Sequence, residues 1–169
     1  MRQPATTIDL RRDLVGLLPR LRRFAITLAG EAAVADELVQ AVCQRAIAKG
    51  HQWSGEGRLE SWIYTLARQQ WTDDSRKRKP KASVRGNVTD IRDAARERSA
   101  AVDPDAIHRM IADMPDGLCS MFLLVDVEGH SYQQAADIMG TPVANVVSQL
   151  ATARLHFAGL SATHPIHRY

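Results

Sequence analysis

Little in this chain announces an enzyme, a secreted scaffold or a membrane protein. Its 169 residues hold two cysteines, Cys43 and Cys119, each without a second thiol nearby. Neither a disulfide framework nor a zinc site follows from that spacing, and buried free thiols are the expectation. The six histidines form no ligand-like constellation, and His164 and His167 lie in a Pro-containing tail, so no metal and no cofactor are expected. There is no Gly-rich phosphate loop, no nucleophile motif and no paired carboxylates, which leaves nothing to support catalysis. Apolar runs such as Phe24-Ala25-Ile26 are far too short to span a bilayer, and the first nine residues contain no apolar signal core. A cytoplasmic protein without membrane insertion is expected. Strand signals are also missing, with no alternating β-branched segment between turn residues.

What is present is helical periodicity almost throughout. Segments 10–18 and 20–29 are amphipathic and separated by Pro19, with Gly30 closing the second. A helix over about 33–49 carries Val34, Leu38, Val42 and Ala46 on one stripe and Asp36, Glu37, Gln40 and Gln44 off it. A short loop with Trp53 follows, then a long helix over about 58–79 with Leu59, Trp62, Ile63, Leu66 and Ala67 apolar, ending in Arg76-Lys77-Arg78-Lys79 before Pro80. Trp62 falls on the buried stripe and is expected in the core. From 80 to 103 the composition turns to Ser, Gly, Asn, Arg and Ala without apolar spacing, which predicts a flexible linker. The fold class is therefore all-α, with two small helical domains: 1–80 and 104–160, a linker over 81–103 and a tail over 161–169.

The stretch 131–157 carries the most information. Ser131 with Gln134 predicts a capping box, Gly140 a stop, and Thr141-Pro142 an N-cap and first-turn proline for a second helix near Val143. Val143, Val146, Leu150, Ala153 and Phe157 make its buried stripe, leaving Asn145, Ser148, Gln149 and Thr152 outward. Two helices joined by so short a corner have the shape of a helix-turn-helix, whose second helix can enter a major groove. Charge is regional as well: residues 1–82 carry 15 Lys/Arg against 9 Asp/Glu, and residues 83–169 carry 7 against 10. The basic half suits a polyanion such as DNA, although a charge run on a helix is also what any solvated face shows.

Around these elements the motifs Met114-Pro115-Asp116, the apolar run 121–125, and Glu128-Gly129-His130-Ser131-Tyr132-Gln133-Gln134-Ala135-Ala136 resemble the second conserved domain of extracytoplasmic-function sigma factors. Asp36-Glu37-Leu38-Val39-Gln40, and Trp53 followed by the run 59–68, resemble the first. The resemblance implies a transcription initiation factor of the sigma-70 family that binds core RNA polymerase through its clamp and directs it to promoter DNA. It also implies a stress-responsive role and an anti-sigma protein as partner. On this resemblance Asp36, Glu37 and Gln40 would grip the polymerase. Lys49, Trp53 and Gln69 would capture an unstacked base of the −10 element, where a base–aromatic stack is worth about 1–3 kcal/mol. Arg76, Lys77, Arg78 and Lys79 would hold duplex phosphates beside it.

The upstream reader departs from the family pattern. Asn145, Ser148, Gln149, Thr152 and Arg154 are the candidates for −35 contacts, but Val147, Gln149 and Thr152 stand where basic residues are usual. Arg154 is the only Lys or Arg between Ser131 and Phe157, against one acid, Asp137. Phosphate neutralisation supplies most non-specific DNA affinity, so this unit alone is expected to bind DNA weakly. That leaves a second class open, a sigma-like mimic that occupies an anti-sigma protein without binding promoter DNA.

Overall fold

The computed structural model describes residues 6–77, 114 and 117–163. Among them are six α-helices and no strand, and the chain divides into two compact units between 109 and 110. Residues 161–163 of the expected tail continue the last helix, while the linker expected over 81–103, the remaining tail residues 164–169, and Arg78 and Lys79 lie outside the described residues.

The first unit packs three helices: α1 (Thr6–Ala29), α2 (Ala32–Ala48) and α3 (Leu59–Lys77). Leu10, Leu14, Leu21, Phe24 and Ala25 of α1 meet Ala35, Leu38, Val42 and Ala46 of α2 and Ile63, Tyr64, Leu66 and Ala67 of α3 in its core. Phe24 and Tyr64 touch ring to ring at 4.7 Å. Each fully buried large side chain contributes about 1.5–3 kcal/mol. Pro19 does not divide α1 as the sequence suggested, because the helix runs through it. Leu10, Leu14, Leu21 and Ala25 keep one helical stripe on both sides of the proline, which itself faces solvent. Burial along that stripe outweighs the roughly 3 kcal/mol that an interior proline costs. Trp62 is also corrected: it is half-buried, and the fully enclosed aromatic of α3 is Tyr64.

Gly30, at φ 72°, turns the chain from α1 into α2 with its amide on the Ile26 carbonyl at 2.8 Å. After α2 a single 3₁₀ turn (Gly50–Gln52) leads into the Trp53 loop. A Cβ on Gly50 would come within 2.9 Å of Leu10 Cδ2, so a larger residue here would require the Leu10 side chain to shift.

In the second unit α4 (Leu118–Phe122) passes directly into a π-helical turn (Leu123–Val127), followed by α5 (Tyr132–Met139) and α6 (Val143–Thr163). The widened turn is marked by the Glu128 amide on the Leu123 carbonyl at 2.9 Å, a five-residue span. Leu118, Met121, Leu124, Ala135, Ala136, Ile138, Val146, Leu150 and Ala153 are its core. Phe122 and Phe157 stack at 4.2 Å over the cluster of Met114, Leu118 and Ala153. The Leu124 carbonyl is met by both the His130 amide (2.9 Å) and its Nδ1 (3.0 Å), which holds this buried imidazole against the π-helical turn.

Candidate functional site

The first unit offers a polar face of α2 and a ledge around Trp53. Because the core stripe of α2 is Ala35, Leu38, Val42 and Ala46, the residues Asp36, Glu37 and Gln40 are turned to solvent. Asp36 is paired across to α1: Arg22 donates Nε to Oδ1 at 2.6 Å and Nη2 to Oδ2 at 3.3 Å. That hydrogen bond to Asp36, then the carboxylate's charge, raises the Arg22 pKa against the opposing pull of burial. Such an exposed pair is worth at most about 1 kcal/mol and can exchange for another basic partner.

Trp53 is half-buried and its ring lies 5.5 Å from that of Trp62, tilted by 35°. The loop tryptophan is thus laid on the helix tryptophan, which orients one ring face and leaves Trp53 partly open. Lys49 ends α2 with its amide on the Arg45 carbonyl at 2.9 Å and is half-buried. Gln69 is exposed on α3, and Arg76 and Lys77 are exposed in its last turn, where cations also favour the helix dipole. Counting 100° per residue, Trp62, Gln69 and Arg76 fall on one side of α3. The structure therefore brings Trp53, Trp62, Gln69 and Arg76 toward one face. Cross-helix bonds keep α3 in register: Arg20 to Glu60 at 2.8 Å, and Arg45 to Gln70 at 3.0 Å and Asp73 at 3.3 Å. Burial alone would raise the Glu60 carboxyl, but a backbone hydrogen bond, the Arg20 bond and the charges of Arg58 and Arg20 outweigh it and hold it below its usual value.

In the second unit the expected corner is fully formed. The Ser131 hydroxyl accepts from the Gln134 amide at 3.1 Å while Gln134 Oε1 accepts from the Ser131 amide at 2.9 Å. This double bond closes the start of α5. Gly140, at φ 62°, caps its end. The Pro142 carbonyl takes the first bonds of α6, from Asn145 (2.9 Å) and Val146 (3.3 Å). Pro142, not Thr141, therefore stands at the capping position, and the Thr141 hydroxyl accepts from the Asn145 side-chain amide at 3.1 Å instead of a backbone amide of α6. Ser148 and Thr152 are exposed and Gln149 half-buried.

Arg154 is engaged by partners the sequence reading did not find. It binds Asp126 through two bonds, Nε to Oδ2 at 3.0 Å and Nη2 to Oδ1 at 2.7 Å. Hydrogen bonds to Asp126 and then Tyr132 raise its pKa. The bond from Arg154 in turn holds the Asp126 carboxyl below its ordinary range. Asp126 and Arg154 are 28 residues apart, and no local pattern links them. The planar fork that grips this carboxylate is the same one that grips a phosphate. Burial pushes both half-buried thiols, Cys43 and Cys119, upward, the direction that makes them less reactive. Among the described residues no group of His, Cys, Asp or Glu is placed to hold a metal, and no helix is long and apolar enough to cross a membrane.

A three-helix unit followed by a helix-turn-helix unit is the arrangement of sigma-type transcription factors. Comparison with known proteins agrees for both units. The family model for the Sigma2 domain of PhyR matches residues 14–68, and that for sigma-70 region 4 matches 105–157. The ECF RNA polymerase sigma factor EcfG of Rhodopseudomonas palustris (strain TIE-1) is 30% identical over 155 residues, covering 91% of this chain and 86% of that protein. The ECF RNA polymerase sigma factor SigC of Mycobacterium tuberculosis is 28% identical over 134 residues, covering 78% and 72%. Among solved structures, the sigma factor RpoE in complex with the anti-sigma factor NepR from Bartonella quintana aligns with a TM-score of 0.69 at 25% identity, over 95% of this chain and 99% of that one. CnrH in complex with the cytosolic domain of CnrY aligns at 0.60 and 16% identity, over 94% of each, and shows the shared fold. The chain belongs to the extracytoplasmic-function sigma factors of the sigma-70 family.

Proposed function

We propose that this protein binds core RNA polymerase in the cytoplasm, directs it to a particular class of promoter in a stress response, and is held in check by an anti-sigma protein. The observation that carries this reading is the solvent-facing Asp36, Glu37 and Gln40 on α2, separated from its core stripe, with Asp36 in an exposed, exchangeable pair with Arg22. An acidic face of this kind suits a basic clamp surface by charge complementarity. On this reading residues 1–80 grip the polymerase and the −10 element, 81–103 link, and 104–160 read the −35 element. Trp53, Lys49 and Gln69 capture the opened base, Arg76 to Lys79 hold phosphates, and Asn145, Ser148, Gln149, Thr152 and Arg154 face the upstream site. The likeness to a sigma factor solved with its anti-sigma factor supports the inhibitory partner.

A second reading, a mimic that occupies an anti-sigma protein without binding promoter DNA, is favoured by one observation. The only Lys or Arg of the helix-turn-helix is already bound to Asp126. In vitro transcription with purified core polymerase over a promoter library separates the two. The initiation reading expects specific transcripts, lost together with core binding when Asp36 and Glu37 are both changed to Lys. Silence of the wild-type protein on every promoter, with no core association, would leave the mimic.

A further inference from the structure

The residues of α6 that face the upstream site differ in what they have left to offer a base. Arg154 has its fork on Asp126. Thr152 donates its hydroxyl to the Ser148 carbonyl at 3.1 Å, and Gln149 is half-buried. A lone hydroxyl such as that of Ser148 accepts more than one base. Asn145 is the exposed side chain among them that carries donors and an acceptor on one planar group. It stands in the first turn of α6, the part of a recognition helix that reaches base edges.

Two hydrogen bonds fix how that amide is presented. Asn145 Nδ2 donates to the Thr141 hydroxyl oxygen at 3.1 Å, and the Thr141 backbone amide is anchored on the Ala136 carbonyl of α5 at 3.0 Å. A carboxamide has two N–H donors and one carbonyl oxygen. With one N–H held by Thr141, the other N–H and Oδ1 remain for a ligand. Adenine offers the complement in the major groove, an acceptor at N7 and a donor at N6, whereas guanine offers two acceptors, N7 and O6. An untethered amide can turn its N–H groups toward guanine; the held one sets Oδ1 against O6 and leaves two acceptors facing each other. The tie also selects a rotamer before DNA arrives, so less side-chain freedom is lost on binding.

We infer that Asn145 reads one adenine of the upstream element, and that Thr141 is a positioning residue whose hydroxyl tips the choice to adenine over guanine. The inference rests on the initiation reading above and deepens it. Because the contact is neutral, it adds sequence preference without adding to the salt dependence of binding. A helix-turn-helix whose one cation is already engaged can thus still select a sequence while holding DNA weakly.

The test uses holoenzyme assembled from core polymerase and the full chain, on a promoter library randomised over the upstream element. Wild type is expected to prefer adenine to guanine at one position by about fivefold or more, the lower end of what a bidentate base contact discriminates. Asn145→Ala is expected to level that position alone. Thr141→Val removes the hydroxyl and keeps the shape, and valine suits the extended backbone required before Pro142. It is expected to bring guanine close to adenine at the same position, and Thr141→Ser to restore the wild-type preference. Helicity by circular dichroism and the salt slope of DNA binding are expected to stay unchanged throughout, since no charge is altered. Adenine preference that survives Asn145→Ala overturns the inference, and so does finding that the position levelled by this change had preferred another base. Preference left intact by Thr141→Val, or not restored by Thr141→Ser, overturns the positioning role. A wild type that yields no transcript from any promoter removes the initiation reading and this inference with it, an outcome distinct from the others because there is then no preference to lose.

Discussion

The two units are both helical, yet they hold their helices together by different means. In the first, long side chains reach across: Arg20 to Glu60, Arg22 to Asp36, and Arg45 to Gln70 and Asp73 tie three helices around large interlocking side chains. In the second, the polar bonds at Ser131, Gln133, Gln134, Thr141 and Thr152 are local, while Arg154 reaches Asp126 across 28 residues. The first unit resembles a braced core with a recognition surface left over. The second is a set of well-capped short helices whose packing relies on smaller residues such as Ala135, Ala136 and Ala153. Large buried side chains and caps fail on different energy scales, so the contrast can be tested.

The largest effect is expected at Phe24, which is fully buried against Tyr64. Phe24→Ala is expected to cost about 3–5 kcal/mol. All three tryptophans, Trp53, Trp62 and Trp71, belong to the first unit, so urea unfolding followed by tryptophan fluorescence reads this loss directly. A change below about 1 kcal/mol would show that the ring pair is dispensable and that the bracing is elsewhere. A smaller effect is expected at Ser131. Its replacement by Ala removes the hydroxyl that accepts from the Gln134 amide, leaving only the backbone half of the capping box, and costs about 1 kcal/mol, seen as an earlier circular-dichroism transition with the tryptophan transition unmoved. If both signals shifted equally, the units would be unfolding as one and the contrast would fail.

The smallest effect on stability, and the sharpest on DNA binding, belongs to Asp126. Its carboxyl sits below its usual pKa because of the hydrogen bond from Arg154. A depressed carboxylate adds stability that is present above the unfolded-state value and is lost as pH falls through the folded-state value. Wild-type thermal stability is therefore expected to decline slightly more than that of Asp126→Asn as the solution passes below the ordinary carboxylate range. On the initiation reading, the same substitution releases the Arg154 fork for a phosphate and steepens the salt dependence of DNA binding by about 0.9 in the logarithmic slope. An unchanged slope would mean that Arg154 serves the fold alone.

Where the chemistry is local, the sequence was readable. Ser131 with Gln134, Gly140 with its left-handed backbone, and Pro142 ahead of Val143 each act within four residues, and each appears where the spacing placed it. The centres of the α2 and α6 stripes were legible for the same reason, since helical phase converts position into side, but their ends were not: Val34, Val143 and Phe157 are only half-buried, and Ala35 takes the buried place at the start of α2. Pro19 misled because a local rule competed with burial spread from Leu10 to Ala25, and burial prevailed. The pairs Trp53–Trp62, Arg22–Asp36 and Arg154–Asp126 depend on how helices meet, which no window of neighbouring residues encodes. The π-helical turn was not foreseen either, for the order Leu123-Leu124-Val125-Asp126-Val127 carries no mark of a wider winding.

That turn sets a limit on how the second unit can vary in length. A π-helical turn is an α-helix that has accommodated one additional residue. The widened turn hands the Glu128 amide to the Leu123 carbonyl, and so leaves the Leu124 carbonyl to the amide and the buried imidazole of His130. A deletion that let the segment wind back to regular pitch would return the Leu124 carbonyl to the helix's own ladder and take it from His130. The extra residue thus serves as an acceptor supply for the corner: it fixes where the imidazole sits as the chain enters α5.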